Sequence, residues 1–266
     1  MIKVCVAGAC GRMGRRIIEL VGAMPEMTVG GAFDLPENAG QPITFRTADG
    51  TTETVLTGDN AEAQIALSDV LIDFTFADAC LENLRAAAAA EKPAVVGTTG
   101  LSTEHVTALQ ELAQQIPIVY APNMSIGVNL LFKLTQQVAA TLGLDYNIEI
   151  MEIHHNQKKD SPSGTAVRLA ECAAAGADMV WPDEAVFGRE GMVGARPVRE
   201  IGVHALRGGD VVGEHTVAFI GNGERVELVH KAHSRDNFAR GALIAAKYAV
   251  ARGPGLFDMQ DVLGLK

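Results

Sequence analysis

Short apolar segments alternate with helical patterns through the first third of the chain, and this alternation limits the fold more than any other feature. Five segments have the length and apolar content of buried strands: Ile2–Ala7, Met27–Phe33, Val70–Phe74, Pro93–Gly97 and Pro117–Tyr120. Three segments between them have helical patterns: Arg12–Ala23, Ala79–Glu91 and Thr103–Gln115. Strands that alternate with helices favour right-handed crossovers, so we predict a Rossmann-like, doubly wound parallel sheet.

The segment Leu35–Gly58 interrupts this alternation. It contains two prolines and several glycines, which punctuate secondary structure. We predict a long surface loop here, with room for one short strand.

A different pattern follows Ala121–Asn123. Helices are predicted at Asn129–Leu142 and Gly164–Ala175, the second with Gly176 as its C-cap. Strands are predicted at Tyr146–Ile153, Val198–Leu206, Val211–Ile220 and Arg225–Ala232, with a hairpin turn at Gly221–Gly223. Strands in succession predict a second, α+β domain with a mixed or antiparallel sheet. We assign 1–122 plus about 236–266 to a dinucleotide-binding domain, to which helix Phe238–Ala251 returns, and 123–235 to a substrate-binding and oligomerisation domain.

Composition excludes several classes of protein. Apolar residues make up 48% of the chain and charged residues 20%, which is typical of a folded globular protein. The net charge of −10 argues against nucleic-acid binding, since phosphate contacts need a basic surface. The apolar run at Ala86–Ala90 is too short to span a membrane. Met1–Val4 leads directly into a strand, and the four cysteines lack paired metal spacing. We therefore expect no signal peptide, a reducing environment and a cytoplasmic location.

A glycine-rich turn joins the first strand to the first helix. Its sequence, Gly8-Ala9-Cys10-Gly11-Arg12-Met13-Gly14, has the GxxGxxG pattern, a variant of the dinucleotide fingerprint. Such a turn brings backbone amides at a helix N-terminus close to a pyrophosphate. Asp34 ends the next strand, at the spacing expected for an acid that binds a ribose diol. The alternative is a tight turn followed by a surface aspartate.

Asp34 also bears on the choice of cofactor. A carboxylate repels a 2′-phosphate, and the next residue is Leu35 rather than a cation. We therefore expect NAD, with NADH favoured over NADPH, although NADP remains compatible if a cation such as Arg12 reaches the site. The loop Gly97-Thr98-Thr99 follows the fourth strand, where open α/β sheets bind ligands, and its backbone could bind the nicotinamide amide.

The densest polar segment runs from His154 to Thr165 and leads into a predicted helix. Ser161 or Ser163 could cap that helix, and the amides of Gly164 and Thr165 then form an anion site. The histidines and lysines just before it favour a small anion with more than one carboxylate, and a histidine can deliver a proton. The alternative is a solvated loop with capping residues.

A metal site is not expected. Adjacent histidines on a strand, such as His154 and His155, point to opposite faces, and no cysteine or carboxylate cluster completes a ligand set. The pair His230 and His233 also lacks further ligands. His105, His204 and His215 belong to no motif, so we place them on the surface or in strands.

The chain resembles the 4-hydroxy-tetrahydrodipicolinate reductase family, also called dihydrodipicolinate reductases, almost from end to end. The matching motifs are VAGACGRMG at Val6–Gly14, IDFT at Ile72–Thr75, VGTTG at Val96–Gly100, APNMSIGVN at Ala121–Asn129, EIHHNQKKDSPSGTA at Glu152–Ala166, GDVVGEHTV at Gly209–Val217 and GLFDMQDVL at Gly255–Leu263. The histidine pair followed by lysine and Pro-Ser-Gly-Thr is the most specific of them.

The resemblance implies an oxidoreductase of lysine and diaminopimelate biosynthesis that uses NAD(P)H to reduce a cyclic, unsaturated dicarboxylate to tetrahydrodipicolinate. It implies His154 as the proton donor and Lys158 as the cation that polarises and holds the substrate. Carboxylate binding is implied for His155, Gly164 and Thr165. Cofactor binding is implied for Gly8, Ala9, Cys10, Gly11, Arg12, Met13, Asp34, Gly97, Thr98, Thr99, Ala121, Pro122, Asn123 and Met124. Leu35 replaces an arginine that many family members have, and a homotetramer formed through the second domain's sheet is also implied.

Two other functions fit part of the pattern. One is a different two-domain NAD-dependent dehydrogenase of amino or hydroxy acids, which would lack the segment with paired histidines and Pro-Ser-Gly-Thr. The other is a non-catalytic NAD-binding sensor, which would bind the cofactor without turnover and would carry a partner surface or a DNA-binding helix pair.

Overall fold

The structure, a computed structural model, describes residues 1–266. It divides into two compact units, one formed by Met1–Ile126 with Asp236–Lys266 and the other by Gly127–Arg235. No helix combines the length and the apolar character needed to cross a membrane.

The helices and strands follow one another through the two units. Up to residue 120 they are β1 (Ile2–Ala7), α1 (Arg12–Gly22), β2 (Met27–Phe33), β3 (Pro42–Arg46), β4 (Thr52–Leu56), α2 (Ala61–Ala66), β5 (Val70–Asp73), α3 (Ala77–Ala89), β6 (Ala94–Val96), α4 (Thr103–Leu112) and β7 (Pro117–Tyr120). They continue with α5 (Ile126–Leu142), β8 (Asn147–His154), α6 (Gly164–Gly176), β9 (Ala185–Phe187), β10 (Ile201–Arg207), β11 (Glu214–Ile220), β12 (Arg225–Lys231), α7 (Asp236–Val250), β13 (Gly255–Phe257) and α8 (Met259–Val262).

The first unit contains a six-stranded parallel sheet in the order β13-β7-β6-β5-β1-β2. Its strands read as continuous apolar runs because both faces are covered. Alternate residues of β1 belong to different cores: Val4 and Val6 pack with side chains of α1 and α7, and Cys5 and Ala7 with side chains of α3 and α4. The predicted Rossmann-like sheet is confirmed.

The prediction of a surface loop at Leu35–Gly58 is wrong. The segment contains the antiparallel hairpin of β3 and β4, and Ile43 and Phe45 on β3 are buried. Phe45 packs against α1 at Gly22, where a Cβ would lie 2.3 Å from the Phe45 ring. This contact between distant parts of the chain holds the hairpin in place, and the local glycine and proline content does not reveal it.

The second unit contains a five-stranded mixed sheet in the order β12-β11-β8-β10-β9, as predicted for an α+β domain. The central strand β8 pairs in parallel with β10 and antiparallel with β11. Ile148 and Ile150 of β8 are buried in a core that also contains side chains of α5 and α6. The alternating sequence of β8 therefore gives one face of the sheet to this core.

Gly176 is not the C-cap of α6, contrary to prediction. It is the last helical residue, and the cap is Ala177. A Cβ on Gly176 would lie 2.3 Å from the carbonyl oxygen of Gln136 on α5. Glycine is needed here because the two helices approach closely, not because the chain turns.

Candidate active site

The glycine-rich turn lies between β1 and α1, and its glycines are needed by its geometry. Gly8 has a φ of +67°, a conformation that favours glycine. A Cβ on Gly14 would lie only 2.1 Å from the carbonyl oxygen of Gly8. Gly11 is the N-cap of α1 and has no side chain to bond the first helical amides. No side chain caps α1, so the first amides of this helix point out of its N-terminus, a position that suits a pyrophosphate.

Asp34 lies directly beside this turn, as the spacing predicts. Its Oδ2 accepts a hydrogen bond from the backbone amide of Cys10 at 2.8 Å, and its Oδ1 accepts from Leu35 N and Asn38 Nδ2, both at 2.8 Å. Burial favours the neutral acid, but the hydrogen bonds from Asn38 and the two amides outweigh it and lower the pKa of Asp34. The carboxylate is ionised at neutral pH and has acceptor capacity for a ribose hydroxyl.

The other predicted cofactor loops reach the same edge of the sheet. Gly97–Thr99 follows β6 and Ala121–Met124 follows β7, and these strands lie beside β5 and β1 in one parallel array. The carboxyl ends of parallel strands meet at one edge, where open α/β sheets bind ligands. The structure therefore brings the predicted cofactor loops to one edge of the sheet.

Sequence reasoning missed the group that ties two of these loops together. Asp73 ends β5, is fully buried, and accepts hydrogen bonds from Asn83 Nδ2, Thr75 Oγ1 and Thr98 Oγ1 at 2.7–2.8 Å. Thr98 Oγ1 in turn accepts from the amide of Thr75 at 2.9 Å. Asp73 thus fixes the Gly97–Thr99 loop to the segment after β5. An acid inside an otherwise apolar strand segment, VLIDF, was the available signal.

The second group of predicted residues follows β8. His154 is the last residue of β8 and is buried, whereas His155 lies just beyond the strand and is half-buried. Lys158 is half-buried and bonds Asp160 at 2.9 Å. Ser163, not Ser161, caps α6 by accepting a hydrogen bond from Ala166 N at 3.2 Å. A Cβ at Gly164 would meet nothing within 4 Å, so the space beside the start of α6 is open.

Glu152, to which the sequence analysis gave no role, holds His154. Its Oε2 lies 2.6 Å from His154 Nδ1, and both oxygens accept from the guanidinium of Arg207, at 2.8 and 2.9 Å. The Oε1 atom also accepts from the amide of Ser163 at 3.0 Å. Glu152 and His154 are two residues apart on a strand, so they share a face, and this spacing was a signal in the sequence.

The protonation of this cluster follows from its contacts. Burial alone would raise the pKa of Glu152, but the hydrogen bonds from Arg207, His154 and Ser163 N lower it below its ordinary value. Burial lowers the pKa of His154, and the bond to Glu152 only partly opposes that effect. Glu152 is therefore a carboxylate, and His154 is mostly neutral at pH 7 in the free protein.

His215 lies in a strand, as the sequence analysis allowed, but its surroundings give it a place in the site. It lies in β11 but is only 4% exposed, opposite Glu152 in the sheet. Its Nε2 lies 3.2 Å from Ser163 Oγ, and its ring centroid is 5.1 Å from that of His154. Burial lowers the pKa of His215 to about 3, so this ring is neutral. His105, by contrast, lies in α4 and completes its capping box with Ser102.

No group of three or more histidine, cysteine, aspartate or glutamate side chains is arranged to hold a metal ion.

Comparisons with known proteins cover the whole chain. Residues 2–124 match the family model described as dihydrodipicolinate reductase, N-terminus, and residues 127–263 match the corresponding C-terminus model. The chain belongs to the dihydrodipicolinate reductase family. Curated relatives named 4-hydroxy-tetrahydrodipicolinate reductase include one from Desulfotalea psychrophila, 50% identical over 100% of this chain and 99% of the relative, and one from Syntrophotalea carbinolica, 48% identical over 100% of both.

A solved structure agrees with this membership. Dipicolinate-bound dihydrodipicolinate reductase from Paenisporosarcina sp. TG-14 is 25% identical, with a TM-score of 0.76 over 98% of each chain. The resemblance stated from motifs is thereby confirmed for the family and the fold. The roles of individual residues stay predictions.

Proposed function

We propose that this reductase converts 4-hydroxy-tetrahydrodipicolinate to tetrahydrodipicolinate with NAD(P)H, in lysine and diaminopimelate biosynthesis. The substrate ring loses its hydroxyl group as water and gains a hydride and a proton. The observation that carries the proposal is that His154, His155, Lys158 and the start of α6 lie together in a chain that belongs to this family. Relatives named for this reaction, and a dipicolinate-bound neighbour, support the substrate class.

The first unit would hold the cofactor through its own backbone and one acid. The amides of Ala9, Cys10 and Gly11 are bonded within the protein, so the first amides of α1, at Arg12 and Met13, would face the pyrophosphate. The loops Gly97–Thr99 and Ala121–Met124 would border the nicotinamide. Bound NAD(P)H supplies the hydride. Asp34 would accept a hydrogen bond from the adenosine ribose, and its charge, with Leu35 beside it, favours NADH.

The second unit would bind a dianion and supply a proton. Lys158 and His155 offer positive charge or donors to one carboxylate, and the amides of Gly164 and Thr165 at the start of α6 offer donors to the other. Reduction of a conjugated imine leaves electron density on the ring, and His154 would protonate it. Lys158 would offset the negative charge that develops.

Steady-state kinetics with substrate generated in a coupled reaction test this proposal. His154→Ala is expected to lower kcat by about 10²–10⁴-fold, the range of general acid catalysis, with little change in NADH affinity. Lys158→Ala is expected to lower kcat and raise KM. Lys159→Ala is the matched control. Lys159 carries the same charge, is exposed and follows Lys158 directly in the chain, so the effect of its removal on kcat and KM should be smaller. No wild-type turnover with either cofactor would refute the proposed function.

We also propose a homotetramer formed through the sheet of the second unit. The face of this sheet away from α5 and α6 exposes Met151, Leu206 and Val229, each at 40–50%. Apolar side chains clustered on a sheet face favour burial against another copy. Sedimentation equilibrium checks the state, and a monomer at micromolar concentration would exclude it.

A further inference from the structure

Glu152 occupies a position that packing alone does not explain. It is fully buried on β8, on the face that otherwise carries Ile148 and Ile150 toward the core. A buried carboxylate is costly unless every oxygen is bonded. Here four donors reach it: two from Arg207, one from His154 and one from the amide of Ser163.

The other contacts of Arg207 and Ser163 hold this arrangement rigid. Arg207 lies on β10 and also donates to the carbonyl oxygen of Asp160 at 2.8 Å. Ser163 bonds Glu152 through its amide, while its Oγ caps α6 and contacts His215 on β11. Three adjacent strands and the start of a helix therefore fix the carboxylate in one place.

The partner of this carboxylate is the imidazole of His154, and the contact decides which nitrogen carries a proton. An ionised carboxylate only accepts, so Nδ1 must be the donor in the 2.6 Å contact. Nε2 is on the opposite side of the ring, next to Gly213. A Cβ on Gly213 would lie 2.9 Å from Nε2, so glycine leaves room at this nitrogen.

We propose that Glu152, clamped by Arg207, is a positioning residue that keeps His154 in the Nδ1–H tautomer and aims Nε2 at the substrate. Nε2 is then the atom that takes up a proton from solvent and delivers it to the ring, while Nδ1–H stays bonded to Glu152. This inference rests on the proposed function for its reaction, but the tautomer itself is a property of the free protein.

Charged and titratable groups around His154 come from every neighbouring element. They are Glu152 on β8, Arg207 on β10, His215 on β11 with His230 behind it on β12, and Lys158 and Asp160 in the loop before α6. Among these groups, Glu152 is the residue that contacts the His154 ring, and its negative charge favours the imidazolium form. Its removal should therefore disfavour the proton-carrying state of His154.

The first experiment measures the tautomer in the wild-type protein. Nitrogen-15 NMR of the histidine rings, with the His154 signals assigned through their loss in His154→Gln, distinguishes protonated from bare nitrogens at high pH. We expect a proton on Nδ1 and none on Nε2. A proton on Nε2 would overturn the inference. This result does not depend on turnover, so failure of the proposed function and failure of the inference are distinguishable.

The second experiment measures kcat as a function of pH in three variants. Glu152→Gln is expected to lower kcat at least about tenfold. The pH at which kcat declines should also fall by about 1–3 units, as expected when an adjacent opposite charge is removed. Glu152→Asp keeps the charge and should return the profile toward the wild-type position. The KM for NADH should stay within about twofold throughout, since Glu152 belongs to the substrate unit.

Glu149→Gln is the matched control, because Glu149 is three residues away on β8 and also binds two arginines and a histidine. Its oxygens lie 2.7–2.9 Å from Arg189, Arg196 and His204, on the other face of the sheet. Its loss should leave the pH profile in place. An unshifted profile in Glu152→Gln, or an equal shift in Glu149→Gln, would overturn the proposal. If Glu152→Gln does not fold, the nitrogen-15 NMR measurement of the His154 tautomer in the wild-type protein decides whether the proposal stands.

Discussion

Cofactor choice should depend on the single charge of Asp34, and Asp34→Asn removes that charge with little change in side-chain shape. The carboxylate is half-buried and holds the amide of Cys10 at 2.8 Å, so an alanine would also release the glycine turn. Asparagine keeps the shape of the side chain and one acceptor oxygen. It removes the charge together with one acceptor, so either the Cys10 amide or the pair Leu35 N and Asn38 Nδ2 loses its partner. Because hydrogen bonds keep the pKa of Asp34 below its ordinary value of 3.8, the charge is constant between about pH 5 and 9.

The expected size of the effect follows from Coulomb's law. Asp34 would accept a hydrogen bond from the ribose 2′-hydroxyl. A 2′-phosphate in place of that hydroxyl would lie roughly 4–5 Å from the carboxylate, where two like unit charges repel by about 1 kcal/mol in a solvated setting. A phosphate monoester carries about 1.5–2 charges at neutral pH, so the penalty is about 1.5–2 kcal/mol. This corresponds to about 10–30-fold in relative affinity.

The assay compares kcat/KM for NADH and NADPH at fixed, low ionic strength. Asp34→Asn is expected to shift the ratio about tenfold toward NADPH, and Leu35→Arg, which adds a cation at a 47% exposed position, should shift it in the same direction. Asp49→Asn is the control. Asp49 also accepts a hydrogen bond from a backbone amide, that of Thr51, but it lies in the turn between β3 and β4. A ratio that stays unchanged in Asp34→Asn would refute the assignment of Asp34 to the ribose.

Three further outcomes are expected. Gly14→Ala places a Cβ 2.1 Å from a backbone oxygen, so NADH affinity by fluorescence titration should fall more than about tenfold, while cooperative unfolding of the second unit persists. Asp73→Asn turns an amide toward hydroxyl donors in a fully buried site, so urea unfolding should show a loss of about 1–3 kcal/mol. In the proposed mechanism the protonated form of His154 is the active one, and burial lowers the pKa of His154 below 6.5 in the free protein. The value of kcat/KM should therefore fall with rising pH, with the decline below pH 6.5; a profile that rises instead would exclude His154 as the acid.

Much of the fold can be predicted from the sequence because many of its helices and strands have clear local sequence patterns. Strand β1 and its glycine turn were predicted to the residue, since a buried parallel strand is a continuous apolar run and the turn needs glycine. The β3–β4 hairpin was missed although Ile43 and Phe45 alternate with polar residues. Its prolines and glycines indicate a loop, and the contact of Phe45 with Gly22 arises only when the chain has folded.

The candidate site divides in the same way. The pairing of Glu152 with His154 follows from strand alternation and was available from the sequence. Arg207 and His215 were not, because they reach Glu152 from β10 and β11, and the register of those strands is set by the whole sheet. His215 in particular has no motif of its own, and only its position opposite Glu152 gives it a place near His154.

The pKa of His154 depends on two opposing effects, and their balance bears on how this buried imidazole would act as the proposed acid. Burial removes water and lowers the pKa of His154, whereas the Glu152 carboxylate 2.6 Å away raises it, and burial prevails in the free protein. The proposed dianion would add negative charge near the same ring and shift the balance toward the imidazolium form. Proton uptake at Nε2 would then be coupled to substrate binding. The proposed donor would become charged mainly when an acceptor is present, while Glu152 and Arg207 would keep its orientation the same in both states.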